Sequence, residues 1–144
     1  VASLDHGAMG LMIEHGVLTD QIGIHHIYDV RRTIETRIVT LAALRRSEAE
    51  AAEIAGLARR MRAQRAEPER LMESDLDFHL VLARASRNPV FMLIVGAFQG
   101  ITRQTWPIGW RTRSTAEAQD RMLCTHEEIA AAVAGGDPAR AVLA

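Results

Sequence analysis

The sequence predicts an all-α fold, an antiparallel bundle of helices, and three observations carry that expectation. Apolar residues make up 48% of the chain and aromatics only 4%. The core is therefore built from Ala, Leu, Ile, Val and Met, a palette that suits helices better than sheets. Apolar positions recur at helical spacing along most of the chain, and no stretch of useful length alternates as a strand would. Start and stop signals divide the chain into segments joined by short turns, which places neighbouring helices antiparallel.

Each segment has its own justification. Residues 1–18, interrupted by Gly7, Gly10 and Gly16, read as a linker or a short helix. Residues 19–144 read as one helical domain. Thr19 is the expected cap of a long helix running to about residue 46. Ser47 with Glu50 forms a capping-box signature for a helix over roughly 48–65. Pro68 suits the first turn of the next helix, which ends near Asn88-Pro89, with Asn88 as its C-terminal cap. Another runs from Pro89 to about residue 105, where "WPIGW" is expected to break it. Ser114 with Glu117 starts a helix that ends at Gly135-Gly136. Asp137-Pro138 opens a last helix still in progress at Ala144, so the intact protein is expected to continue it.

Composition excludes several function classes. A length of 144 residues is one domain with room for a substantial core. A net charge of −1 and a pI near 6.6 leave no electrostatic footprint for nucleic acid. The single cysteine, Cys124, allows no disulfide within the chain, which fits a reducing cytoplasm. No apolar run reaches membrane-spanning length, and the first residues do not form a signal peptide.

The informative stretch is "ESDLDFHLVLARASRN", residues 73–88. At 100° per residue, Asp75 and His79 fall on the side of Leu71, Met72, Leu82 and Ala83, while Glu73, Asp77 and Arg84 point to solvent. His126 lies on the apolar stripe of Met122, Leu123, Ile129, Ala130 and Val133. Arg31 sits at the centre of the face marked by Ile27, Ile34, Ile38 and Arg45, with His25 and Arg32 on the opposite side. Burying a charge costs several kcal/mol unless it is paired or binds a metal. Asp75, His79, His126 and Arg31 are thus expected to converge on one interior. Asp and His four apart on a helix can share a metal ion, and a facing His adds a third ligand. Oxygen and nitrogen donors of this kind suit Zn²⁺, Ni²⁺, Mn²⁺ or Fe²⁺, with positions left open for water or a small anion.

Plainer readings exist for each residue. Asp75 and His79 could form a helix salt bridge, His126 could be a satisfied core histidine, and Arg31 could pair with Glu35 one turn on. His6, His15, His25 and His26 lack helical registry and read as solvated. Cys124 has no base recognisable beside it and reads as an inert buried thiol. Trp106 and Trp110 read as a plug at one end of the bundle.

The stretches "YDVRRTIETRIVTLAAL", "DLDFHLVLARASRNP" and "HEEIAAAVAGGDPARA" occur in an order and spacing that resembles the FadR-type C-terminal domain, FCD. This is the effector-sensing half of many GntR-superfamily bacterial transcription regulators. The likeness covers about residues 27–144. It implies a bundle of six or seven helices that binds a small carboxylate, often beside a divalent metal. Asp75, His79 and His126 match three of the family's four metal ligands; the fourth, a His, is expected shortly after Ala144. Arg31 matches the first-helix arginine that pairs with the effector carboxylate, and Arg103 is a second candidate for that duty. The resemblance further implies a homodimer, and a winged helix-turn-helix domain before Val1 as the only route to DNA. Two other classes stay open: a metal-dependent enzyme with a two-His, one-carboxylate ligand set, and a helical dimerisation module without ligand.

Overall fold

The computed structural model describes residues 5–144, which form seven helices: α1 (Gly7–Leu18), α2 (Ile24–Arg45), α3 (Glu48–Ala63), α4 (Pro68–Ala85), α5 (Pro89–Thr112), α6 (Ala116–Ala134) and α7 (Pro138–Leu143). No strand occurs among the described residues. The helical boundaries follow local chemistry at most junctions. Ser47 Oγ accepts the Glu50 amide at 3.2 Å while Glu50 Oε2 accepts the Ser47 amide at 2.8 Å, so two N–H groups at the start of α3 are satisfied reciprocally. Asp137 accepts the Arg140 amide at 3.0 Å and starts α7, after Gly136 has turned the chain at φ 67°.

Four local expectations are corrected. Thr19 does not cap α2. It closes α1 instead, its hydroxyl donating to His15 O at 2.8 Å, and α2 begins only at Ile24. Asn88 is the N-cap of α5 rather than the C-cap of α4, accepting the Val90 amide at 3.0 Å. Thr115, not Ser114, caps α6, accepting the Ala118 amide at 3.1 Å. "WPIGW" does not end α5, which continues through Pro107 to Thr112. Proline removes one helical hydrogen bond, leaving the Arg103 carbonyl unpaired. Both residues are exposed, so water can satisfy that carbonyl, and Trp106 and Trp110 anchor the helix on either side.

α3 packs on α4 and α6, α4 also packs on α5, and α7 packs on α2 and α6. Their shared core contains Ile38, Ile54, Met61, Leu71, Phe78, Leu82, Leu123 and Val133. α1 lies against α5 over a second cluster, Ile27, Phe98 and Ile101. The approach of α1 is close: a Cβ on Gly10 would meet the Ala97 carbonyl at 3.2 Å, and one on Gly100 would collide with the Glu14 carboxylate. No helix is long and apolar enough to cross a membrane among the described residues. This packing sets α4, α6, α2 and α5 around one polar interior.

Candidate metal centre

Asp75 and His79 leave adjacent turns of α4, and His126 faces them from α6. Asp75 is 5% exposed and His126 is 9% exposed, so both have left bulk solvent. One donor atom from each of the three residues lies within 4.8 Å of the others. The rings of His79 and His126 are 5.7 Å apart, centre to centre, and nearly perpendicular. Phe78, fully buried, forms the apolar wall behind both rings.

The bonding of His126 decides what the cluster lacks. Its Nδ1 lies 2.8 Å from the Met122 carbonyl, which only accepts, so Nδ1 carries a proton. In the neutral ring Nε2 is then a lone pair. It faces Asp75 Oδ1 at 2.8 Å, and neither atom has a hydrogen-bond partner. Two buried lone pairs in contact repel each other, so either a proton on Nε2 or a metal ion lies between them. Donor atoms bonded at roughly 2.0–2.2 Å to one ion stand about 3.0–3.5 Å apart, so the contacts of 2.8 and 3.6 Å to Asp75 Oδ1 need only a small adjustment to share a metal. His79 Nε2 lies 3.6 Å from the same Asp75 oxygen and can serve as the third ligand.

Electrostatics keeps Asp75 ionised. Burial would raise the Asp75 pKa, but contacts with His126 and His79 outweigh it and hold the carboxyl well below its ordinary range. Burial would lower the His79 pKa, but the Glu35 and Asp75 carboxylates prevail and raise it above its ordinary value. Glu35 is the residue that reading the sequence undervalued. Its Oε1 stands 3.7 Å from His79 Nδ1, on the far side of the ring from Asp75, and 3.0 Å from the Arg31 guanidinium. A carboxylate behind a ligating imidazole fixes the ring and raises its basicity. Trp106 was also undervalued: it is not merely a plug, because its indole Nε1 donates to Asp75 Oδ2 at 2.9 Å.

Arg31 reaches the same interior from α2. Its Nε donates to Glu35 Oε1 at 3.0 Å and its Nη1 to Thr102 Oγ1 at 3.1 Å, so the salt bridge and a place in the site coexist. Arg31, Asp75, His79, Thr102, Trp106 and His126 all line one open cleft of about 870 Å³. Arg103 is not brought there. It points outward from α5 and is held by Glu73 through two hydrogen bonds of 3.1 and 2.9 Å. His6, His15, His25 and His26 are exposed and none joins the cluster. Cys124 is half-buried beside the Arg62 guanidinium, its Sγ 3.2 Å from Nη2.

The family model described as the FCD domain matches residues 26–144. The chain belongs to the FCD family. The FCD chain is also similar to the HTH-type transcriptional regulator LutR of Bacillus subtilis (strain 168), with 29% identity over 125 residues. That alignment takes in 82% of this chain and 55% of the regulator, so the chain spans about half the length of the curated relative. The all-helical structure of the described residues agrees with that family.

Proposed function

We propose that this chain is the effector-sensing and dimerisation domain of a cytoplasmic transcription regulator. It binds one divalent metal through Asp75, His79 and His126, and a small carboxylate beside it. The observation that carries the reading is the unpartnered contact of Asp75 Oδ1 with His126 Nε2 at 2.8 Å. Family membership and the regulator relative support a sensing role over catalysis. Bound there, the metal would supply a positive charge that fixes one end of an anion.

The chain's own residues account for the rest. Arg31 presents a guanidinium that pairs a carboxylate by two parallel hydrogen bonds. Thr102, already bonded to Arg31, offers a hydroxyl at the same place. Glu35 holds Arg31 when no effector is present, so the incoming carboxylate exchanges with an internal one. DNA contact belongs to a winged helix-turn-helix domain on the same polypeptide outside this chain, since a net charge of −1 gives this part no grip on phosphates. Control of DNA by an effector requires different affinities for two arrangements of a homodimer. Calorimetry with a panel of small carboxylates, run on metal-loaded and chelator-stripped protein, tests the reading. Carboxylate binding that depends on metal supports it; no binding by either form contradicts it.

A further inference from the structure

We propose that Trp106 is a positioning residue of the metal centre. Its indole N–H occupies Asp75 Oδ2 and leaves Oδ1 as the single carboxylate oxygen turned toward His79 and His126. The inference rests on reading the cluster as a divalent-metal site, and it adds the residue that decides how Asp75 takes part.

The two oxygens of Asp75 have different partners. Oδ2 accepts from Trp106 Nε1 at 2.9 Å. Oδ1 has no hydrogen bond and stands 2.8 Å from His126 Nε2 and 3.6 Å from His79 Nε2. Asp75 is 5% exposed, so water cannot readily replace the indole. The donor itself is fixed. Trp106 stacks on Trp110 with ring centres 5.4 Å apart and planes 15° from parallel, and Trp110 is buried. Both belong to α5, whereas the ligands belong to α4 and α6, so the carboxylate is oriented by a third helix.

The type of donor matters as much as its place. An Arg or Lys at this point would form an ion pair with Asp75 and compete with the metal for its charge. An indole N–H is neutral, donates only, and cannot become a ligand. It fixes the orientation of the carboxylate without cancelling its charge. With Oδ2 engaged, Asp75 would offer a metal Oδ1 in preference to both oxygens, which would leave room beside it for the effector. Loss of the indole would free the carboxylate to rotate or to chelate through both oxygens.

The test is a Co²⁺ titration of wild-type protein and Trp106→Phe, followed by visible absorption. Phe keeps the ring and the stack but has no donor. The expected result is affinity about 10- to 100-fold weaker in the variant, the usual effect of removing a partner of a metal ligand. An altered Co²⁺ spectrum should accompany it, which a loss of packing alone would not produce. Equal affinity and an identical spectrum overturn the inference while leaving the metal centre standing. A wild type that takes up no Co²⁺ overturns both. A second readout needs no change at Trp106. In Trp110→Phe this is the sole indole, and its N–H resonance should shift on adding one equivalent of Zn²⁺. A resonance that stays put in protein that has bound Zn²⁺ also contradicts the inference.

Discussion

Glu35 Oε1 stands between Arg31 and His79, 3.0 Å from the guanidinium of one and 3.7 Å from the imidazole of the other. One carboxylate on α2 therefore connects the proposed effector contact to the proposed metal ligand. This arrangement divides the site into parts that substitutions should separate.

Replacing His79 by Ala should abolish tight metal uptake while the chain still folds, since the His79 side chain, 20% exposed, lines the cleft and is not part of the apolar core. A ligand that binds only the folded state stabilises it by about 2.7 kcal/mol at 100 times its Kd. Wild type should therefore melt higher with metal than with chelator, and His79→Ala should show no such difference. Equal metal-induced stabilisation in both proteins would remove His79 from the site.

Arg31→Ala should spare metal content and weaken carboxylate binding. A charge-assisted paired contact contributes roughly 1.5–3 kcal/mol, so affinity should fall about 10- to 100-fold. Metal analysis beside calorimetry separates the two effects. Unchanged carboxylate affinity would reduce Arg31 to a structural partner of Glu35 and Thr102.

Glu50 predicts a pH dependence of stability. Burial would raise its pKa, but the Ser47 amide and the Arg87 guanidinium, bonded at 2.7 Å to each oxygen, bring it down to about 2. A carboxyl with a lowered folded-state pKa stabilises fully above its ordinary value of 4.5, and that contribution is lost as pH falls to about 2. Urea unfolding at several pH values should show wild type and Glu50→Gln converging across this window. A stability gap that stays constant would show that the ion pair does not contribute through its charge.

α1 should be separable from the rest. Gly10→Leu places a side chain where even a Cβ would meet Ala97 O at 3.2 Å. Overpacking of this kind costs about 1–3 kcal/mol. Hydrogen exchange should quicken in α1 and remain slow in α3 and α4. Uniform quickening would instead mean that α1 and the main core unfold as one unit.

Legibility followed the range of the interactions. The Ser47–Glu50 box and the Asp137 cap are contacts between residues three apart, so the sequence displays them directly. Asp75 and His79 are four apart on one helix, and their shared face is a matter of periodicity. α1 was hard to read because its glycines weaken a helix locally, yet Gly10 is what lets it lie close against α5. Pro107 signals a break by the local rule. What overrides it are long-range attachments, Trp106 to Asp75 and Trp110 to the core. The same distance in sequence hid the role of Trp106, 31 residues from its carboxylate, and the capture of Arg103 by Glu73. Neither follows from periodicity, because each depends on how α4 and α5 cross.

Calorimetric titration of Zn²⁺ into wild type and His126→Ala bears most directly on the metal centre. One ion per chain is expected for wild type, with no binding of comparable affinity by the variant. Failure of wild type to bind Zn²⁺, or equal binding by both proteins, would contradict the centre built on Asp75, His79 and His126.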